Sequence, residues 1–238
     1  MSGAFFRLAR TVAMIAASCL ASVQARADAL QFALPNTAIS GTHMEVRSWQ
    51  DMKFTSTVHQ KYDFSCGSAA LATLLTYVYD VPVTEESVFK SMYRHGDQAK
   101  IRRLGFSLLD MKNYLARHHI PSNGFKASLA KLSQIRVPAI VLIDYHGYHH
   151  FVLVRGVSNG EVLISDPSLG LRAEPVATFA KQWSGIFFAI TSDLSQARLA
   201  FNNPTVWQAV PQPPVSLAHF QLRDLGLPAN GWQLQNTF

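Results

Sequence analysis

A cysteine at the start of an apolar stretch has the setting that covalent catalysis on a carbonyl group requires. Cys66 lies where a polar loop, residues 60–65, meets an apolar run that continues to Tyr79. The spacing of that run predicts a buried helix. A thiol at a helix N-terminus faces free backbone N–H groups and the positive end of the helix dipole, and both favour the nucleophilic thiolate. We therefore predict that Cys66 is a nucleophile.

A cysteine nucleophile needs a base, and the base needs an orienting group. His150 begins one predicted strand and Asp166 ends the next, so a hairpin would bring these ends together. With a three-residue loop at 158–160, Asp166 lies opposite Val152 and on the same face as His150, within reach of it. A two-residue loop reverses the parity and turns Asp166 away. A Cys66–His150–Asp166 triad therefore predicts the longer loop.

Gln60 precedes the cysteine by six residues, and its amide could donate, together with the Cys66 backbone N–H, to an oxyanion. Each candidate also has a structural alternative. Cys66 could be a small buried side chain, His150 a structural histidine within a strand, and Asp166 the start of a turn. No Cys-x-x-Cys or His-Glu-x-x-His spacing occurs, so we expect neither a metal nor a cofactor.

The periodicity changes from helix to strand near Pro138, which predicts an α+β domain with N-terminal helices packed on an antiparallel sheet. Helix signals follow Cys66, Thr84 and Ser107, with a further helix near 175–183. Strand signals occur at 139–143, 150–154, 162–164 and 186–190. Residues 46–59 allow an edge strand, for example at 54–58, and residues 94–103 have the composition of a polar loop.

The N-terminus has the layout of a secretory signal peptide, with Arg7 and Arg10 before an apolar run and Ala25-Arg26-Ala27 at its end. We expect cleavage after Ala27. An uncleaved membrane anchor is disfavoured by the short run, and lipidation at Cys19 is a further alternative. The predicted organisation is a signal peptide (1–27), an N-terminal arm (28–57), a catalytic domain (58–192) and an irregular tail (193–238).

The net charge and the number of cysteines limit the classes of function that we expect. Loss of the signal peptide removes three arginines from a chain of net charge +6, and the remaining charges form no basic runs, so nucleic-acid binding is not expected. No membrane span is expected after cleavage. Cleavage also removes Cys19, which leaves Cys66 without an intramolecular partner in a compartment where disulfides form. A periplasmic chain with a single thiol is consistent with a reactive cysteine.

Gln60, Cys66-Gly67, His150-Phe151 and Asp166-Pro167 occur in the order in which they occur in the C39 peptidases, a papain-like cysteine protease family. The resemblance covers about residues 58–190. It implies a papain-like fold in which Cys66 is the nucleophile, His150 the general base and acid, Asp166 the orienting acid and Gln60 the oxyanion donor. Ser65 stands where many members have aspartate.

The resemblance implies a peptide or protein substrate. The motif Tyr-Asp-Phe-Ser-Cys-Gly at 62–67 is similar to that of exported members that accompany bacterial functional-amyloid secretion genes, so a secretion or amyloid-assembly system is the expected partner. Two alternatives stay open at this point: a catalytically silent module that binds a peptide or exported partner, and an enzyme that uses the same triad for acyl transfer or cell-wall amide hydrolysis.

Overall fold

The computed structural model describes residues 48–211 with the exception of His146. The predicted signal peptide, the arm up to residue 47 and the tail beyond residue 211 lie outside the described residues, so the predicted domain boundaries stay predictions. The helices are α1 (Trp49–Lys53), α2 (Cys66–Val78), α3 (Glu85–His95), α4 (Gln98–Leu104), α5 (Leu108–Arg117), α6 (Leu129–Ile135), α7 (Val176–Gln182), α8 (Leu194–Ala200) and α9 (Pro204–Gln208). The strands are β1 (Ser122–Lys126), β2 (Ala139–Tyr145), β3 (Tyr148–Ser158), β4 (Glu161–Asp166), β5 (Gly170–Pro175) and β6 (Trp183–Ile190).

The strands form one antiparallel sheet in the order β1-β6-β2-β3-β4-β5. Side chains alternate across it, so β3 contributes Leu153 to the apolar cluster around α2, and Val152 and Val154 to a second cluster that includes Phe179 of α7. Burial on both faces explains the nearly continuous apolar sequence of the central strands. The predicted α+β class, with helices packed on an antiparallel sheet, is confirmed.

Helix α2 is the most buried helix near the site. Its residues from Cys66 to Leu75 are all buried, including the hydroxyl-bearing Ser68 and Thr73. The Thr73 hydroxyl donates to Ala69 O at 2.8 Å and accepts from Val58 N at 3.0 Å, so its polar atom is satisfied inside the apolar cluster. This contact also ties the loop before the cysteine to the helix that carries it.

Local sequence signals set the ends of the neighbouring helices. The Thr84 hydroxyl caps α3 by accepting from Ser87 N, and Ser107 forms a capping box with Asp110 at the start of α5. Both caps agree with the sequence prediction. Between them, residues 94–103 are not a loop, because Asp97 caps the helix α4 and Ile101 is buried against the core.

Three further expectations differ from the structure. The segment 54–58 forms turns instead of an edge strand, and the strands β1 and β5, whose sequences are largely polar, were not foreseen. The described part of the predicted irregular tail contains two short helices, α8 and α9, separated by residues 201–203. Phe201 is almost fully buried, because α8 leads it into the domain. Within residues 48–145 and 147–211, no helix combines the length and apolar character required to cross a bilayer.

The hairpin between β3 and β4 differs from the predicted one in two ways that cancel. Ser158 pairs with Glu161, so the turn has two residues, Asn159 and Gly160, which both have positive φ as a type I′ turn requires. A β-bulge between Val154 and Gly156 then leaves one residue of β3, Arg155, unpaired.

The bulge restores the parity that the short turn had reversed. The register beyond it pairs Leu153 with Ser165, and its continuation sets Asp166 opposite Val152. The prediction of a three-residue loop was wrong. Asp166 and His150 nevertheless lie on the same face of the sheet, as that loop was expected to place them.

Candidate active site

The loop before Cys66 is closed by short-range hydrogen bonds that place the thiol at the first residue of α2. The Ser65 hydroxyl accepts from Tyr62 N at 3.1 Å and donates to Tyr62 O at 2.9 Å. This reciprocal pair is what serine contributes at the position where many C39 peptidases have aspartate. Cys66 itself is buried, with 6% of its surface exposed.

Gly67, the residue after Cys66, has little room for a side chain. A Cβ atom on Gly67 would lie 2.8 Å from the Met111 Cε and 3.1 Å from the Phe106 Cβ. These contacts allow α2 to approach α5 closely at the end where Cys66 lies. Glycine at position 67 therefore suits the close packing at this helix N-terminus.

His150 and Asp166 are joined by a direct hydrogen bond inside the protein. The His150 Nε2 lies 2.8 Å from the Asp166 Oδ1, and the two residues are 5% and 1% exposed. Because an ionised carboxylate can only accept, Nε2 carries the proton. The other ring nitrogen, Nδ1, is buried and meets no nitrogen or oxygen partner among the described residues.

Donors surround the Asp166 carboxylate and keep it ionised. Oδ1 also accepts from Ser168 N at 3.0 Å, from Ser168 Oγ at 2.8 Å and from Leu169 N at 3.2 Å, while Oδ2 faces Arg172 Nε and Nη2 at 3.4 and 3.3 Å. Burial alone would raise the pKa of Asp166. The hydrogen bond and positive charge of His150, with the Ser168 N–H and Arg172, outweigh burial and hold that pKa below its usual range.

The imidazole is held in its charged form by two neighbours. Burial would lower the pKa of His150, but its hydrogen bonds with Asp166 and with the Cys66 thiol, and the charges of both groups, raise that pKa to about 9. Nε2 is engaged by Asp166, so Nδ1 is the nitrogen available to exchange a proton with the Cys66 sulfur. Carboxylate and imidazole are thus in direct contact, and the Cys66 thiol lies close enough to the imidazole to raise its pKa.

Gln60 lies next to this chain through its backbone. Its N–H donates to Pro167 O at 2.9 Å, directly after Asp166, and one N–H of its side-chain amide donates to Tyr62 O at 3.1 Å. In the part of the chain that the structure describes, the second N–H of the amide meets no hydrogen-bond acceptor. The structure therefore places His150 in contact with Asp166 and beside Cys66, and Gln60 on the loop that leads to Cys66.

Four residues at the site were missed in the sequence analysis. Ser168 contacts both His150 Nε2, at 3.3 Å, and Asp166, and Arg172 joins Asp166 to Glu174. Tyr148 stacks on His150 with ring centroids 6.0 Å apart, and its hydroxyl donates to Asp63 O at 2.8 Å. Arg172 and Glu174 lie on β5, a strand whose polar sequence gave no strand signal. Tyr148 and Ser168 could have been found from their positions, because each stands two residues from a predicted site residue.

The arrangement supports proton transfer and nucleophilic attack. The Cys66 sulfur lies at the N-terminus of α2 and beside the His150 imidazole. The carboxylate holds the imidazole in one tautomer and one orientation.

Comparisons with known proteins indicate a peptidase family. The model of the peptidase C39 family matches residues 55–195. The chain is 40% identical over 158 residues to the probable functional amyloid protease FapD of Pseudomonas aeruginosa, covering 66% of this chain and 69% of the relative. It is 37% identical over 174 residues to the protein of the same description from Pseudomonas fluorescens, covering 73% of this chain and 76% of the relative.

Among solved structures, the chain is similar to a double glycine motif protease from an AMS/PCAT transporter in complex with the leader peptide. The identity is 24% and the TM-score 0.48, over 56% of this chain and 88% of that one. It is also similar to the peptidase domain of Streptococcus ComA, with 19% identity and a TM-score of 0.48 over 56% of this chain and 95% of that one.

Proposed function

We propose that this chain, which belongs to the peptidase C39 family of cysteine peptidases, is exported to the periplasm. There it cleaves a secreted or periplasmic protein with a Cys66–His150–Asp166 triad. The observation that carries the proposal is the buried contact of 2.8 Å between His150 and Asp166, on an imidazole that also interacts with the thiol.

In the proposed first step, the Cys66 thiolate attacks the carbonyl carbon of the scissile bond, and a sulfur–carbon bond forms while the carbonyl electrons move to oxygen. The Cys66 backbone N–H and the free amide N–H of Gln60 donate to this oxyanion. The intermediate collapses, the carbon–nitrogen bond breaks, and the His150 imidazolium gives its Nδ1 proton to the departing amine.

In the second step, water hydrolyses the thioester. His150, now neutral, takes a proton from the attacking water at Nδ1, and the new oxyanion collapses to release the acid and the thiolate. The imidazolium and thiolate are thereby regenerated. Asp166 retains its charge throughout and holds the Nε2–H.

The names of the two Pseudomonas relatives support a narrower proposal, that the substrate or partner belongs to a bacterial functional-amyloid secretion system. This can be tested by incubating the purified mature protein with the secreted proteins of such a system and locating new termini by mass spectrometry. Cleavage that is absent with Cys66→Ala supports the proposal. Cleavage of muropeptides but of no protein would favour cell-wall amide hydrolysis instead.

The triad itself is tested without knowledge of the substrate. Iodoacetamide alkylation of the mature wild type and of His150→Ala is measured across pH, with intact mass as the readout. Reaction well below the pH of a free thiol, about 8.5, and its loss in His150→Ala are expected. An ordinary thiol profile in both proteins would contradict the proposed Cys–His pair.

A further inference from the structure

The tail segment after α8 contacts β3 at its bulge through one residue. Asn202 has a positive φ of 58°, a backbone conformation that asparagine tolerates better than most residues do. In this conformation its N–H donates to Arg155 O at 2.9 Å, and its side-chain Nδ2 donates to Val157 O, also at 2.9 Å. Asn202 therefore satisfies the carbonyl groups on both sides of Gly156.

These carbonyls need a partner because β3 extends past the sheet at this point. The pairing of β3 with β2 ends where Ala139 meets Val154, so the residues after Val154 have no strand on that side. A buried carbonyl without a hydrogen-bond partner destabilises the folded state. Asn202 occupies the place that another strand would otherwise fill.

The fit between Asn202 and the bulge is close. A Cβ atom on Gly156 would lie 2.1 Å from the Asn202 Oδ1 and 3.2 Å from its Cα. The same Oδ1 accepts from the Trp207 Nε1 at 3.3 Å, which orients the amide so that its nitrogen faces Val157. On the other side of the bulge, the buried Arg155 side chain donates to Ser56 O at 3.0 Å.

The bulge matters for the site because it decides the face on which Asp166 lies. Without the extra residue, the register set by the two-residue turn would place Asp166 opposite Leu153, whose side chain belongs to the apolar cluster around α2. With it, Asp166 lies on the face of His150. The contact of Asn202 with Arg155 and Val157 and the hydrogen bond between His150 and Asp166 thus depend on the same register of β3 and β4.

We propose that Asn202 is a positioning residue for the peptidase: by binding the Arg155 and Val157 carbonyls, it holds the bulge that brings Asp166 to His150. The inference rests on the proposed triad. It also assigns a role in catalysis to a segment beyond residue 195, where the family match ends.

Two variants of Asn202 test this, with Asn203→Ala as the matched control. Asn202→Asp replaces the donor to Val157 O with an acceptor, and Asn202→Gly keeps the backbone conformation and N–H but loses the side chain. Asn203 caps α9 by accepting from Thr205 N, and its hydrogen bonds in the described part of the chain join it to α9, whereas those of Asn202 join it to Arg155 and Val157. We expect both Asn202 variants to lose about tenfold or more of Cys66 alkylation at pH 7, as for a misplaced catalytic group, while Asn203→Ala retains it.

The readouts separate positioning from stability. Alkylation profiles and kcat are measured well below each variant's Tm, because a merely structural role would lower Tm and leave the pH profile unchanged. Folded Asn202→Asp and Asn202→Gly proteins with the wild-type profile would overturn the proposal. If Asn202→Asp does not fold, Asn202→Gly decides alone, since it retains the hydrogen bond to Arg155 O.

A second-site experiment tests the contact directly. Gly156→Ala should lower Tm by forcing Asn202 away, and the double variant Gly156→Ala/Asn202→Gly should recover Tm, because the clashing Oδ1 is removed, without recovering alkylation. A double variant no more stable than Gly156→Ala would contradict the proposed contact. Loss of the triad proposal is recognised separately, since only then does His150→Ala alkylate like the wild type.

Discussion

Replacement of Asp166 by asparagine removes one charge from the centre of the site and changes little else in size. The carbonyl oxygen of asparagine can still accept from Ser168 and Leu169 in place of Oδ1. Its NH2 group then faces the Arg172 guanidinium, where donor meets donor. The opposite orientation directs the NH2 group at His150 Nε2–H. Neither orientation satisfies the site, and in both of them the imidazolium loses its counter-ion.

The size of the effect follows from the pKa of His150, which stands at about 9 against an ordinary value of 6.5. The hydrogen bond with Asp166 is the largest cause that raises this pKa, and the negative charge of Asp166 raises it further against the effect of burial. Loss of Asp166 should therefore lower the pKa of His150 toward its ordinary value.

We expect kcat/KM of Asp166→Asn at pH 7 to fall at least about tenfold, and up to about 10⁴-fold if the wrong tautomer dominates. The alkylation profile should move toward that of a free thiol. Glu174→Gln is the matched control, because it removes a buried carboxylate from the same Arg172 network without touching His150. A folded Asp166→Asn protein with less than about a fivefold loss would refute the proposed role of the carboxylate.

Three further predictions concern pH, the tail and export. Because the pKa of His150 is raised in the folded state, the histidine contributes fully to stability below about pH 6.5, and this contribution is lost as the pH rises through about 9. The value of kcat/KM should fall over the same upper pH range. A chemical-denaturation series in which His150→Ala shows the same pH dependence of stability as the wild type would contradict this prediction. Phe201→Ala should destabilise the protein by about 3–5 kcal/mol. Leu199→Ala, which truncates an exposed side chain, should leave the urea midpoint nearly unchanged. Equal urea midpoints for the two variants would show that α8 is not anchored to the domain through Phe201. Protein recovered from the periplasm should begin at Asp28 by intact mass, and a retained N-terminus or a lipid adduct at Cys19 would show a different route.

The sequence was sufficient for the parts of the fold that depend on local patterns. The apolar run after Cys66 and the caps at Thr84 and Ser107 have periodicity or side-chain chemistry that acts within a few residues. Strands β1 and β5 depend on neighbours far along the chain, and their exposed or charged residues carry no strand signal. The helix α4 did have a local signal, a capping Asp97 followed by good helix formers, which its basic charge obscured.

The β3–β4 hairpin shows why the site could be predicted while its construction could not. The dipeptide Asn159-Gly160 is a strong signal for a two-residue turn, and followed strictly it would have directed Asp166 away from His150. The compensating bulge has no comparable local signal, because the contacts that hold it come from Ser56, about a hundred residues earlier, and from Asn202 in the tail. Side chains of a strand point to one of only two faces. The requirement that a histidine and an aspartate meet therefore determines that both lie on the same face, but not which combination of turn and bulge places them there. Turn and bulge are therefore a coupled pair: a chain that kept this turn but lost the contacts at the bulge would keep every residue of the triad and lose its geometry.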